Sequence, residues 1–177
     1  MRPTTFPQGT MPPRSAAPGP YFDETKKKGE VNELRALLKN TLSEKDTNKR
    51  REVIKKVIAF MTLGIDVSRL FMEMIQASYT NDLIQKKMIY LYLGNYAESN
   101  HELAIMAINT YQRDLENPDP KIRGLALRSL FNMKFPGVID YLPNALMKGI
   151  NDLDPYVKKT AIMACVKLFY LEGMKTG

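Results

Sequence analysis

A chain of 177 residues with 26 Lys and Arg against 19 Asp and Glu carries a net charge of +7, and it holds one cysteine and one histidine. A single cysteine excludes an internal disulfide and points to a reducing compartment, while His101 alone, with no cluster around it, leaves a zinc site or a nucleophilic triad without its parts. No apolar run approaches the roughly 20 residues that span a bilayer, and the opening segment lacks the apolar centre of a signal peptide.

Residues 1–20 contain six prolines (3, 7, 12, 13, 18 and 20) and are expected to form a disordered tail. Prolines this dense also forbid the amphipathic helix of a mitochondrial presequence. The composition changes at Tyr21-Phe22, an aromatic pair at the junction with a folded body spanning 21–177. Between Lys26 and Lys56 stand eleven Lys/Arg against five acids, so this stretch supplies +6 of the charge. Such a basic end suggests an anionic partner, either phospholipid head groups or nucleic acid. The alternative is a solvated face of long cationic side chains.

Apolar periodicity predicts a first helix over 29–39, burying Val31, Leu34, Leu37 and Leu38. A second is expected over 49–63, with Val53, Ile54, Val57, Ile58 and Met61 on one face and Gly64 as its stop. Further helices are expected over 67–77, 82–97, 101–115, 120–133, 138–149 and from 155 to about 170. No window of alternating β-branched residues competes, so the fold class is all-α.

One phrase occurs twice, as Asp119-Pro120-Lys121-Ile122-Arg123 and as Asp154-Pro155-Tyr156-Val157-Lys158, with the prolines 35 residues apart. Proline suits a first helical turn and the preceding Asp caps it. The same apolar ladder follows each: Ile122 with Val157, Ala126 with Ala161, Leu127 with Ile162, Leu130 with Cys165 and Met133 with Leu168. A fainter third copy begins at Asp82, with Ile89, Leu93 and Tyr96 in register. Repeats of this length joined by short turns predict an α-α superhelix of HEAT/armadillo-like repeats, a solenoid. Its last helix ends without a partner or a polar cap, so the chain is expected to be part of a longer array whose terminal helix exposes apolar surface. No GxGxxG or Walker A phrase occurs, Glu98 and Glu102 fit a solvated helix surface, and neither catalysis nor a cofactor or metal is expected.

Three long phrases carry a family likeness: Lys55-Lys56-Val57-Ile58-Ala59-Phe60-Met61-Thr62-Leu63-Gly64-Ile65-Asp66-Val67-Ser68, Lys86-Lys87-Met88-Ile89-Tyr90-Leu91-Tyr92-Leu93-Gly94-Asn95-Tyr96-Ala97, and Asn117-Pro118-Asp119-Pro120-Lys121-Ile122-Arg123-Gly124-Leu125-Ala126-Leu127-Arg128-Ser129. With them the chain, from about Tyr21 to Leu168, resembles the N-terminal trunk of the β-adaptins, the large β subunits of the heterotetrameric adaptor-protein complexes of vesicle coats. Gly64-Ile65-Asp66-Val67-Ser68, Phe71-Met72-Glu73-Met74 and Arg123 to Ser129 look most like the β subunit of the fourth adaptor complex. Tyr21-Phe22 followed by Lys26-Lys27-Lys28-Gly29-Glu30 looks more like the first and second complexes.

The resemblance implies a non-enzymatic subunit in vesicle-mediated protein transport and cargo sorting. It would pair with a second large adaptin and with medium and small chains, and sit peripherally on trans-Golgi or endosomal membranes facing the cytoplasm. Tyr21 and Phe22 match an aromatic pair that plugs a cargo-signal groove in the closed second complex; a local anchor for the first helix is the other reading. Ile105 and Ile108 match positions that meet an Arf-type small GTPase, against the alternative of core packing on a helix with a wide apolar face. Lys45, Lys49, Arg50 and Arg51 match a region that meets anionic phospholipid. A different class of function, a helical-repeat binder of nucleic acid or nuclear-transport cargo, would use the same basic end. It lacks aromatics interleaved with the cations as stacking platforms, so no nucleic acid partner is expected.

Overall fold

The computed structural model describes residues 24–43, 46–133 and 135–173, with side chains from 29 to 169 among them. The expectations for the tail over 1–20 and for Tyr21, Phe22 and Lys45 lie outside the described residues. Among those described are eight α-helices and no strand: α1 Glu24–Ser43, α2 Thr47–Thr62, α3 Phe71–Ala77, α4 Leu83–Tyr96, α5 His101–Asp114, α6 Pro120–Phe131, α7 Leu142–Ile150 and α8 Pro155–Gly173. They pair in sequence, α1 with α2, α3 with α4, α5 with α6 and α7 with α8. The second helices also stack side by side, α2 on α4 on α6 on α8, while α1, α3 and α5 stack in a first layer. This is the two-layer α-solenoid expected from the repeat.

The second helices start alike because each is opened by an aspartate. Asp46 accepts from the Asn48 and Lys49 N–H at 2.9 and 3.2 Å, Asp82 from Ile84 and Gln85 at 2.8 and 3.2 Å, Asp119 from Lys121 at 2.9 Å and Asp154 from Tyr156 at 2.8 Å. Steps of 36, 37 and 35 residues separate them, so the repeat occurs four times rather than three. Asp46, like Asp82, opens its helix with no proline after it. At the far end of α2, Gly64 adopts φ +75°, donating to the Met61 carbonyl at 3.1 Å while Ile65 donates to Phe60 at 3.0 Å. That paired reversal closes the helix and favours glycine.

Two first-layer helices are shorter than expected. The segment from 67 opens as a 3₁₀ turn, Ser68–Leu70, and the one from 138 lies in a 3₁₀ turn, Pro136–Tyr141. Pro143 has no N–H to donate to residue 139, so α-helical bonding restarts there, in the first turn of α7. In the other direction, α1 begins at Glu24 and carries Gly29 inside it, a cost of about 1 kcal/mol relative to alanine that its length absorbs.

The apolar ladder is buried where two helices flank it: Ile122, Val157, Ala126, Ala161, Leu127 and Leu130 are all in the core. One match fails. The position eight residues beyond each capping Asp is buried in α2 (Ile54), α4 (Tyr90) and α6 (Leu127), yet in α8 it is Ile162 at 62% exposure. In the first three, the next second-layer helix covers that side; no described helix follows α8. Close approach elsewhere depends on small residues. A Cβ at Gly149 would lie 2.6 Å from Leu127 Cδ2 and 2.9 Å from the Ala161 Cβ, and one at Gly124 would meet the Tyr156 ring.

Asp119→Ala should lower stability by about 1 kcal/mol through loss of the cap. Asp82→Ala should cost more, because Asp82 also binds Arg51 of α2. Urea unfolding followed by helical circular dichroism measures both.

Candidate interaction surfaces

Four cations of the basic stretch are tied to carbonyls or acids elsewhere in the fold. The Arg50 guanidinium turns back to the C-terminal end of α1, donating from Nη2 to the Thr41 carbonyl at 3.0 Å and from Nε at 3.2 Å. Arg51 Nη2 reaches Asp82 Oδ2 at 2.6 Å. Arg35 Nε and Lys39 Nζ, 2.5 and 3.6 Å away, both face Oε1 of the buried Glu73, tying α1 to α3. Of the four residues singled out for anionic lipid, Arg50 and Arg51 therefore serve packing, Lys49 stands exposed at the start of α2, and Lys45 is outside the described residues. A charge count along the sequence cannot distinguish these cases, because the acids that answer Arg51 and Arg35 are 31 and 38 residues away and Arg50 is answered by a backbone carbonyl.

Sequence reasoning missed a ladder of cations crossing from one second-layer helix to the acid that precedes or opens the next. Arg51 of α2 takes Asp82, Lys86 of α4 takes Asp114, and Arg123 of α6 takes Asp152 with two bonds of 2.7 and 2.8 Å. All three cations lie four or five residues after a capping Asp, which is the signal that could have found them. The central pair is the deepest. Lys86 Nζ also donates to the Ser78 carbonyl at 3.0 Å, and Asp114 also accepts from the Tyr90 hydroxyl and from Arg113 Nε at 3.1 Å. Burial pulls the Lys86 pKa below the ordinary lysine value, opposed by Asp114, and burial with the Asp114 charge pushes the Tyr90 hydroxyl up. Arg123 holds the Asp152 carboxyl below the usual aspartate value against a smaller opposing effect of burial. For Asp82, burial acts upward, but Arg51 and the Gln85 and Ile84 N–H groups together leave it lowered. Beside the central pair an open depression of about 360 Å³ is lined by Tyr79, Thr80, Asn81 and Arg113, with the Arg113 guanidinium 4.0 Å from the Tyr79 ring centre.

On α5 the structure separates the two isoleucines singled out for a GTPase. Ile108 is fully buried with Ala104, Ala107 and Tyr111 and offers nothing to an outside partner in this conformation. Ile105 is 47% exposed, and Met106 beside it extends the apolar surface. A helix packed on two neighbours buries a wide arc, and Ile105 falls just beyond its edge. Among the described residues no three His, Cys, Asp or Glu gather as metal ligands, and no helix is long and apolar enough to cross a membrane.

A family model described as the adaptin N-terminal region matches residues 27–173. The AP-4 complex subunit beta-1 of Mus musculus is 43% identical over 143 residues, covering 81% of this chain and 19% of that protein. The AP-1 complex subunit beta-1 of Homo sapiens is 46% identical over 148 residues, 84% of this chain and 15% of that one. Beta-adaptin-like protein A of Arabidopsis thaliana is 40% identical over 163 residues, 90% of this chain and 19% of the other. A chain in a homology model of the full-length AP-3 complex, in an intermediate open conformation, superposes with a TM-score of 0.64 at 27% identity, covering 78% of this chain and 22% of that one. The chain thus spans less than a fifth of the length of the curated relatives it matches.

Asp114→Ala leaves Lys86 charged, buried and without its carboxylate, and should cost about 3–5 kcal/mol. The double variant Lys86→Met with Asp114→Leu should recover part of that loss, as urea midpoints will show. Because the Asp152 carboxyl is lowered in the folded state, its contribution is complete above about pH 5 and is lost as pH falls through the folded value. The urea midpoint should therefore fall more between about pH 5 and pH 3 in the wild type than in Asp152→Asn.

Proposed function

The chain belongs to the adaptins, within their N-terminal region, and on that premise we propose that it acts without catalysis as part of a β-type large subunit of an adaptor-protein vesicle coat. The observation that carries this reading is the extent of the likeness. Identity of 40–46% runs over nearly the whole described body rather than over a local motif, and that body is a repeat scaffold with no clustered chemistry. Scaffold and partner recognition are what such an array supports.

In this reading the subunit joins a second large adaptin with medium and small chains, and works peripherally at trans-Golgi or endosomal membranes. Ile105, with Met106, is the contact for an Arf-type GTPase, since it is the member of the isoleucine pair that reaches the surface. Lys49, together with Lys45, is the contact for anionic phospholipid, and Tyr21-Phe22 remain the proposed plug for a cargo-signal groove.

Affinity purification of the full-length protein from its own cells should bring down another adaptin with a medium and a small chain; recovery of none of these refutes the reading. Ile105→Asp should reduce capture by a GTP-loaded Arf-type GTPase at least tenfold while leaving the thermal midpoint within about 2 °C of wild type, because the side chain is half exposed. Unchanged capture would remove Ile105 from the contact.

A further inference from the structure

On the face of the second-layer helices turned away from the first layer, α4, α6 and α8 carry no acid in their central part, while α2 carries the exposed Glu52. Neither α4 nor α6 contains an Asp or Glu, and the one acid of α8, Glu172, lies in its last turn. The common start at an aspartate lines up equivalent positions across the layer. Nine residues beyond each capping Asp stand Lys55, Leu91, Arg128 and Met163, so cation and apolar group alternate from helix to helix. All four are exposed, Leu91 by 56% and Met163 by 67%. Arg128 has no ion-pair partner among the described residues, and Lys55 has only a surface pair with Glu52 at 2.7 Å, which competes weakly.

A second row stands about two turns of helix earlier, two residues beyond the caps of α4, α6 and α8, with Ile84, Lys121 and Tyr156 all exposed, while the α2 position is Asn48. Contacts show that α6 and α8 lie side by side along this face. Lys167 Nζ donates to Asn132 Oδ1, both thirteen residues after their caps, and the Tyr156 ring lies against Gly124. Helices packed side by side are about 8–10 Å apart, which fixes the step along each row.

We propose that this face, centred on Leu91 and Arg128, docks an extended acidic peptide segment in which carboxylate and bulky apolar side chains alternate at every third residue. A polyproline-type segment rises about 3.1 Å per residue with three residues per turn, so every third side chain returns to the same side about 9 Å further on. That step matches the row. The carboxylates meet Lys55 and Arg128, and the apolar groups meet Leu91 and Met163. A bilayer surface would answer the charge but not the evenly spaced apolar groups, and a nucleic acid strand would find Tyr156 as the one aromatic in these rows. The inference is independent of which coat subunits the protein joins, and its failure would leave that reading standing.

The test is fluorescence anisotropy of the 177-residue chain with a labelled twelve-residue probe, two repeats of Glu-Ser-Pro-Leu-Ser-Pro. Binding is expected, with Arg128→Glu and Leu91→Ser each weakening it at least tenfold. Both sites are exposed, so the variants should keep the wild-type circular dichroism spectrum. Lys148→Glu, on α7 of the first layer, should bind as the wild type does. A peptide of the same composition in scrambled order should bind at least tenfold more weakly. Equal binding by the variants or by the scrambled peptide overturns the proposal. So does a chain that ignores the probe while binding phosphatidylserine vesicles or single-stranded RNA.

Discussion

Each second-layer helix begins at an aspartate that takes up the N–H groups of its own first turn, and this fixes the register of the array. A helix whose start is set within one residue presents its apolar stripe, its crossing cation and its solvent face at set angles. Because Asp46, Asp82, Asp119 and Asp154 open four helices in this way, the stripe of one meets the stripe of the next without a slip. A shift of one residue would turn each helix by about 100° and take the buried positions out of contact. The small residues at Gly124 and Gly149 depend on the same register, since they allow the approach of Tyr156, Leu127 and Ala161.

The cation ladder follows from that register as well. Arg51, Lys86 and Arg123 sit at nearly the same step from their caps and reach an acid near the next helix start. The two outer rungs are partly open to water, and the central one, Lys86 with Asp114, is closed. Burial makes the closed rung costly to assemble and more costly to break, because either charge left alone would stand in an apolar setting. Neighbouring hairpins are thereby joined by a specific bond as well as by apolar contact.

Charge placement has a different meaning once the partners are known. The basic end reads along the chain as a surface for anions, yet Arg35, Lys39, Arg50 and Arg51 face acids or carbonyls within the fold. Meanwhile α4 and α6, which look unremarkable in a charge count, join α8 in a face with cations and no acid in its central part. The electrostatic surface of a solenoid is assembled across repeats, so residues 35 or so apart decide it together.

The sequence by itself determined the all-α class, the repeat length, most helix positions, the glycine stop after α2 and the family, because each depends on local signals: apolar spacing, Asp-Pro starts and long continuous phrases. It left α3 and α7 too long, since apolar spacing does not distinguish a 3₁₀ lead-in from an α-helix. It made Ile162 equivalent to Leu127, although burial depends on what lies alongside. The tertiary structure alone decided that Ile108 is core and Ile105 surface, that Arg50 and Arg51 serve packing, and that Lys86 is buried with Asp114. In each case the answer lies with groups distant in the chain, and a one-dimensional pattern gives their identities without their neighbours.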